Sequence, residues 1–229
     1  MALSTAAKSA IGLGTAGGVA SSAVGINYLI ANKGSSISEL VKSKSPNKRK
    51  LIKSSNGSED AWQKSWKAYR EEFNNSNKNP FSLALTKGTG VVTSTNATQE
   101  FMSACETWES RNVKSTEDED YKVFLKYCTR NTLMSDLVSE NPRRKVLTKS
   151  DTESNAQGWK DAWADYKTKN PYVQDQKGVW DLSDWSSKHS QDKAPVTFMT
   201  RCDTELKREY YDIEGEDYSR VISWCTENS

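Results

Sequence analysis

The chain has 229 residues, and its 35% of apolar residues is below the roughly 45–50% of an ordinary globular protein, which excludes a polytopic membrane protein. The 8 Trp, 9 Tyr and 5 Phe exclude a wholly disordered chain, because disordered chains are poor in aromatic residues. The net charge is +2, but the excess of cations lies in residues 1–61, and residues 62–229 are mildly acidic. We therefore expect no nucleic-acid partner.

The N-terminal segment predicts a membrane-spanning helix. Residues 9–32 carry no charged side chain, and a helix of about 20 apolar residues spans a bilayer. We therefore expect residues 1–33 to be an uncleaved signal anchor that contacts the lipid bilayer through residues 9–32. The alternatives are a cleaved signal peptide and a soluble N-terminus that is buried or disordered.

The orientation of this segment stays open at the level of the sequence. A cluster of cations follows it, namely Lys33, Lys42, Lys44, Lys48, Arg49 and Lys50. By the positive-inside rule these cations keep the C-terminal side in the cytoplasm, whereas the cysteines described below favour export.

One motif in this segment imitates a cofactor site. Residues 12–17 match the pattern GxGxxG. A dinucleotide-binding site needs a strand before the motif and a helix after it, and the preceding Ala- and Ser-rich residues predict no strand. We expect no cofactor.

An internal repeat of about 97 residues is the most informative feature. Aromatic and cysteine residues recur in register, with Trp62, Trp66, Tyr69, Phe101, Cys105 and Cys128 facing Trp159, Trp163, Tyr166, Phe198, Cys202 and Cys225. With a two-residue slip, residues 48–52 also face residues 143–147. A repeat at a fixed period indicates two copies of one structural unit, which we place at residues 34–131 and 132–229.

Each module is predicted to contain about three helices. Apolar side chains recur at helical spacing in three segments of the first module, marked by Trp62 to Phe73, Phe101 to Trp108 and Tyr121 to Cys128. Residues 37–41 and 51–52 are short apolar pieces for which a small hairpin is one interpretation. The predicted fold is mainly α, with two tandem helical modules behind the N-terminal membrane-spanning helix.

The four cysteines predict one disulfide in each module. Cys105 and Cys128 are 23 residues apart on the faces of the second and third helices, and Cys202 and Cys225 repeat this arrangement. Facing helices bring such sulfurs within bonding distance. The alternative is four buried, reduced thiols. A disulfide indicates an oxidising compartment.

Two tryptophans mark the long loop of the second module. In the register of the repeat, Trp180 and Trp185 have no counterparts in residues 81–96 of the first module. Core filling is one interpretation. Contact with a partner is the other, because tryptophan is enriched at binding hot spots.

No motif predicts catalysis or metal binding. His189 is the single histidine and has no counterpart in the first module. Two cysteines per module without a matching histidine fall short of the four ligands of a zinc site. No nucleophile elbow, phosphate-binding loop or HExxH motif is present. We therefore expect a non-catalytic protein, with a cryptic enzyme as a remote alternative.

The chain resembles the large paralogous protein families of haemotropic mycoplasmas. The resemblance lies in the small-residue N-terminal segment, the Ile37-Ser38-Glu39-Leu40 start, the helix from Trp62 to Tyr69 and the Cys202…Trp224-Cys225-Thr226 ending. It implies an exported or membrane-associated protein at the cell surface, with a role toward the host such as antigenic diversity, but it supplies no catalytic or binding residues.

Together these features predict a membrane-anchored protein with its soluble part outside the cell. The loops at residues 74–96 and 171–194 would face host surface molecules, because recognition residues are common on loops held by a rigid scaffold. The alternative is a membrane protein facing the cytoplasm, with reduced thiols and the basic cluster at residues 42–53 against anionic lipid.

Overall fold

In the computed structural model, the described residues are 34–88 and 90–229. They divide into two compact units, of which the first ends at Arg130 and the second covers Asn131–Ser229. The expected membrane segment at residues 9–32 lies outside the described residues. Within the described ranges, no helix is both long and apolar enough to cross a bilayer.

The described residues are mainly helical, as the sequence predicts. The first unit contains β1 (Ser35–Ser36), α1 (Ile37–Lys44), β2 (Lys48–Lys50), α2 (Asp60–Phe73), α3 (Gln99–Glu109), β3 (Asn112–Val113), α4 (Glu119–Tyr127) and β4 (Thr129–Asn131). The second contains α5 (Met134–Ser139), β5 (Arg144–Val146), α6 (Gln157–Lys169), α7 (Trp185–Lys188), α8 (Val196–Lys207), α9 (Glu216–Cys225) and β6 (Thr226–Asn228). Each unit therefore has more helices than the three expected, because short helices accompany the long ones.

Helix α1 replaces the hairpin suggested for residues 37–41. Its start is fixed by a capping box, in which the Glu39 backbone N–H donates to Ser36 Oγ at 3.3 Å and the Ser36 N–H donates to Glu39 Oε2 at 3.0 Å. Such reciprocal bonds satisfy donors that a helix start leaves free. Ile37 and Val41 are buried on the inner face of α1.

Short strand pairings join the ends of these helices, and the pairings of β1 with β3 and of β5 with β6 are antiparallel. Strand β1 pairs with β3 through Ser35 opposite Val113, β2 pairs with β4, and β5 pairs with β6. In the second unit, a single bridge between Leu133 and Glu209 stands where β1 and β3 pair in the first. The strands therefore connect the ends of helices and do not form a sheet that packs as a layer.

Strands β2 and β5 align with an offset of 96 residues, not the 95 suggested by the two-residue slip, whereas the long helices keep the offset of 97. The Leu51 N–H donates to the Cys128 carbonyl, and the Leu147 N–H donates to the Cys225 carbonyl, both at 2.9 Å. Leu51 and Leu147 thus occupy equivalent places, so the slip is one residue.

Aromatic side chains dominate both cores. In the first unit, the Tyr69 ring lies 4.9–5.1 Å from the ring centroids of Phe73, Phe81, Phe101 and Tyr127. In the second unit, the Tyr166 ring lies among those of Trp163, Trp180, Trp185, Phe198 and Trp224. Each aromatic side chain buries a large area, which explains how a chain with few apolar residues builds two cores.

Both predicted disulfides are present. Cys105 bonds to Cys128 and Cys202 bonds to Cys225, each with Cα atoms 5.4 Å apart. All four residues are at most 3% exposed. Each bond joins the middle of one long helix to the end of the next, where the helices pack on the aromatic core.

Removing a disulfide should destabilise its own unit. We expect the double variant C202A/C225A to lose about 3 kcal/mol of unfolding free energy, because the bond closes a loop of about 24 residues in the unfolded chain. We expect a similar loss for C105A/C128A in the first unit. Urea unfolding followed by tryptophan fluorescence measures both. As a control, wild-type protein unfolded in reductant, which lacks both bonds, should show the losses of both variants together. A loss in neither unit would contradict the structural role.

Candidate functional site

In each unit a long loop leaves the first long helix and returns at the second, and a buried tyrosine hydroxyl holds it to the core. The Phe81 N–H donates to Tyr69 Oη at 3.1 Å, and the Trp180 N–H donates to Tyr166 Oη at 3.2 Å. We call Tyr69 with Phe81, and Tyr166 with Trp180, the tyrosine clamps. The clamps show that Phe81 and Trp180 are equivalent, although they are 99 rather than 97 residues apart.

The backbone after each clamp takes the same unusual conformation. Ser82 and Asp181 have positive φ angles of 53° and 52°. Their N–H groups donate to the carbonyls of Asn79 and Gly178, at 3.0 and 3.1 Å, which closes a tight turn in both loops. Non-glycine residues rarely adopt positive φ, so its recurrence shows that the surrounding contacts impose this turn.

Gly178 is required by the clamp of the second unit. Its φ is +69°, and a Cβ atom there would lie 2.4 Å from Tyr166 Oη. Only glycine allows both the backbone angle and the close approach of the hydroxyl.

The structure places Trp180 and Trp185 in the core of the second unit. Trp180 is 6% exposed and Trp185 is 1% exposed. Trp180 lies 4.7 Å from Trp224, and Trp185 lies 5.5 Å from Trp163, both edge to face. This burial agrees with the core-filling interpretation and leaves little indole surface for a partner.

A second core position differs between the units, next to the place where Trp180 replaces the smaller Phe81. In the first unit, Trp108 packs edge to face on Phe81 at 4.8 Å. In the second unit, the position of Trp108 is taken by Glu205, which is 6% exposed. Its carboxylate is 2.7 Å from Arg201 and 2.8 Å from Arg208. These two ion pairs compensate the burial of the charge.

The second unit contains an open cleft beside its loop. The cleft has a volume of about 400 Å³ and lies between the end of α6, the loop and one face of α9. Its lining consists of Lys169, Asn170, Val179, Glu216, Ser219, Arg220, Ser223 and Trp224. A neighbouring hollow of about 520 Å³ shares Lys169, Asn170 and Val179 with the cleft and is also lined by Val173 and Gly178.

Asn170 shapes this cleft through the backbone. Its side-chain Nδ2 donates to the Tyr166 carbonyl, and its Oδ1 accepts the Val179 N–H, both at 2.9 Å. These bonds fix where the loop leaves α6, so Val179 borders the cleft while Trp180 enters the core.

The same space is filled in the first unit. The Phe73 ring lies 6.0 Å from the ring of Tyr127. The Glu72 carboxylate forms an ion pair with Lys126 and accepts the Tyr127 hydroxyl at 2.6 Å, so this pair connects α2 and α4. At the offset of 97 residues, Phe73 is replaced by Asn170, Glu72 by Lys169 and Lys126 by Ser223. Three exchanges at one place therefore accompany the opening of the cleft.

Sequence reasoning missed the cleft residues. Lys169, Asn170 and Ser223 belong to no motif, and each is ordinary at a helix surface or a helix end. A position-by-position comparison of the two copies carries a usable signal, because an aromatic residue and both members of an ion pair change together.

The single histidine is engaged in local structure. His189 Nδ1 lies 3.0 Å from the Ser186 carbonyl oxygen at the end of α7, and the imidazole stacks on Tyr172 with ring centroids 4.0 Å apart. In the part of the chain that the structure describes, no cluster of acidic, histidine or cysteine side chains could hold a metal ion. All four cysteines are disulfide-bonded.

No family model, no curated protein and no solved structure matches this chain. Its function is therefore inferred from the disulfides, the clamped loops and the cleft.

Loss of a clamp hydroxyl should cost more in the first unit than in the second. Tyr69 Oη both accepts the Phe81 N–H and donates to Asn79 Oδ1 at 2.5 Å, whereas Tyr166 Oη accepts the Trp180 N–H. We expect Y69F to lower the free energy of unfolding by about 2–3 kcal/mol and Y166F by about 1–2 kcal/mol, because unpaired buried polar groups cost about 1–3 kcal/mol. Urea unfolding measures this difference, and equal effects would contradict the assignment.

The first unit should lose stability at alkaline pH. Burial raises the pKa of Tyr69 from its ordinary 10 to about 12. Burial and the hydrogen bond to Glu72 raise the pKa of Tyr127 to about 12. Because the unfolded chain deprotonates first, the stabilisation is full below pH 10 and is lost as the pH rises to 12. Unfolding at several pH values measures the decline, which Y127F should reduce, while a flat profile would contradict the prediction.

Proposed function

We propose that this chain is a membrane-anchored, non-catalytic binding protein whose two disulfide-bonded units present their loops outside the cell. The observation that carries this proposal is that one framework, with its disulfide and tyrosine clamp, occurs twice and holds loops of different composition. Loops on a rigid scaffold are the usual place for recognition residues.

The disulfides support an oxidising location. Such bonds form and persist mainly outside the reducing cytoplasm, and here both are buried within the cores that they stabilise. The resemblance to the surface-associated families of haemotropic mycoplasmas is consistent with this location. The uncharged segment at residues 9–32 would serve as the export signal and anchor.

The loops have the exposure that recognition requires. In the first unit Val91 is 92% exposed, and in the second unit Tyr172 and Val173 are 44% and 46% exposed. Large apolar side chains at loop surfaces are available to a partner without any change in the core.

The basic cluster at residues 42–53 gives less support to a cytoplasmic, lipid-contacting orientation. Lys50 pairs with Glu109 at 2.5 Å, and Lys53 pairs with Glu106 at 3.3 Å. Part of the cluster is thus neutralised within the first unit, which weakens its attraction to anionic lipid.

Protease treatment of intact cells tests the location. We expect trypsin to remove residues 34–229 from sealed cells, with early cleavage at the exposed loop residues Lys87 and Lys177. Lysed cells serve as the control for cleavage, and a cytoplasmic enzyme serves as the control for sealing. Complete protection in sealed cells, with digestion after lysis, would refute exposure and favour the cytoplasmic orientation.

Mass mapping of native protein tests the redox state independently. Cells are alkylated before lysis, and peptides are then separated without reductant. We expect linked peptides joining Cys105 to Cys128 and Cys202 to Cys225. Alkylated thiols at all four positions would overturn the proposed location.

A further inference from the structure

We propose that Asn56 and Gly57 form a site of self-catalysed deamidation, at which the chain converts the Asn56 side-chain amide into a carboxylate and releases ammonia. Asn56-Gly57 is the one Asn-Gly pair in the sequence. It lies in the turn before α2, and it is independent of the location and the binding role proposed above. The residues of this turn hold the nucleophile, the electrophile and a path for the proton.

The reaction needs only the chain and water. The Gly57 backbone nitrogen loses its proton and attacks Asn56 Cγ, and the new N–C bond closes a five-membered succinimide ring. The C–N bond of the side-chain amide breaks, and its nitrogen takes up a proton and leaves as ammonia. Water then opens the ring at either carbonyl, which yields aspartate or isoaspartate at residue 56. Glycine permits the close approach of the two groups because it carries no Cβ atom.

A turn closed by the Asn56 side chain brings the reacting atoms together. Asn56 Oδ1 accepts the Ser58 backbone N–H at 3.1 Å, which is an Asx turn around the Gly57 peptide unit. All five atoms of the succinimide belong to the larger ring that this hydrogen bond closes. The bond also draws electron density from Cγ, so Cγ becomes a better electrophile. Holding two reacting groups in this way speeds an intramolecular reaction.

Ser54 and Glu59 provide the path for the proton of the nucleophile. The Gly57 N–H donates to Ser54 Oγ at 2.9 Å, and the Ser54 hydroxyl donates to Glu59 Oε2 at 2.6 Å. The Ser54 oxygen can therefore accept one proton while it passes its own to a carboxylate. The hydrogen bond from Ser54 lowers the pKa of Glu59, which keeps this carboxylate ionised at neutral pH. A positioned base typically accelerates a reaction by about 10²–10⁴-fold.

Contacts with the start of α3 hold this turn in place. The Gln99 side-chain amide donates to the carbonyl oxygens of Ser54 and Ser55, at 3.2 and 2.9 Å. The Ala97 N–H donates to the Gly57 carbonyl at 3.0 Å. Gly57 has a φ of +64°, and a Cβ atom there would overlap the Ala97 carbonyl. The fold thus requires glycine at this position and orders the residues around it.

The second unit lacks the reactive pair and already carries an acid at this place. Ser154 stands where the first unit has Gly57, because the Ala194 N–H donates to the Ser154 carbonyl at 3.1 Å. The residue before it is Glu153, whose carboxylate pairs with Lys188 at 2.5 Å. The framework therefore accommodates a carboxylate where deamidation would create one in the first unit.

The isoaspartate product would alter the attachment of the first loop. It adds one methylene group to the main chain between residues 56 and 57, which displaces Gly57 from its close contact with Ala97. We expect the loop at residues 74–96 to loosen at that end, and trypsin to cleave sooner at Lys87.

Mass spectrometry of the full-length, disulfide-bonded chain in detergent micelles tests the inference. The chain is incubated at neutral pH in heavy-oxygen water and digested in ordinary water, so that deamidation during digestion carries no label. The tryptic peptide of residues 54–64 should gain the mass of an amide-to-acid conversion with one heavy oxygen atom. We expect the folded chain to react about tenfold faster or more than the urea-unfolded, reduced chain. A folded rate equal to or below the unfolded rate would overturn the proposal.

Four substitutions separate the parts of the site. N56Q would need a six-membered ring, so we expect no labelled product. S54A and E59Q interrupt the proton path, and each should slow the reaction about tenfold or more. E59Q is the decisive variant, because Glu59 is exposed and glutamine keeps an oxygen that accepts the Ser54 hydroxyl. S55A is the matched control for S54A, since Ser55 is exposed, and it should leave the rate unchanged.

The possible results separate this inference from the proposed function. An unchanged rate in E59Q would refute self-catalysis even where Asn56 deamidates, because the carboxylate would then take no part. Labelled product in N56Q would place the reaction elsewhere and overturn the site. None of these results changes the outcome of protease treatment of cells or of disulfide mapping, which decide the location.

Discussion

Most of the structure depends on the contacts of one buried tyrosine in each unit, whose ring packs in the aromatic core and whose hydroxyl binds the long loop. Tyr69 and Tyr166 contact the aromatic side chains of the neighbouring helices, and their hydroxyls hold the long loops. The ring needs close packing and the hydroxyl needs a partner, because unpaired buried polar groups are costly. A single residue type thus couples the core to the loop in each copy, and the disulfide beside it fixes the helices that form its surroundings.

Much of this architecture could be predicted from the sequence. The helix faces, the two units and the cysteine pairing follow from the recurrence of Trp62, Cys105 and Cys128 at one fixed offset. Large aromatic and cysteine residues define register well, since each has few places to fit in a core. The helix at residues 37–44 was less clear, because its apolar pattern is limited to Ile37, Leu40 and Val41, which is too short to separate a helix from a strand.

The features that escaped prediction have physical reasons. The equivalence of Phe81 and Trp180 is hidden because the residue types differ and the offset changes by two. The alignment of residues 48–52 with residues 143–147 was wrong by one residue, because residues 42–50 are mostly polar and carry no aromatic marker. The cleft escaped because it depends on space left by Asn170 and Ser223, and a sequence shows side chains rather than the volume between them.

The two units keep the same framework but differ at several surface positions and at one core position. Unit-wide elements such as the clamp recur, whereas exposed positions around the cleft and even a core position, Trp108 against Glu205, have changed. Changes at exposed positions usually alter stability by less than about 0.5 kcal/mol. The exchange of a buried indole for a carboxylate needed two arginines nearby. The second unit therefore departs further from a simple apolar core than the first.

The loops have a second attachment to the core, and the chain between the clamp tyrosine and this attachment has the same length in both units. Besides the clamp, a backbone bond joins Ala97 to Gly57 in the first unit and Ala194 to Ser154 in the second. Between clamp tyrosine and clamped aromatic residue, the second loop is two residues longer, and between that residue and the second attachment it is two residues shorter. The chain from the clamp tyrosine to the second attachment is therefore 28 residues in both units, so the clamped residue can shift along the loop without moving either attachment.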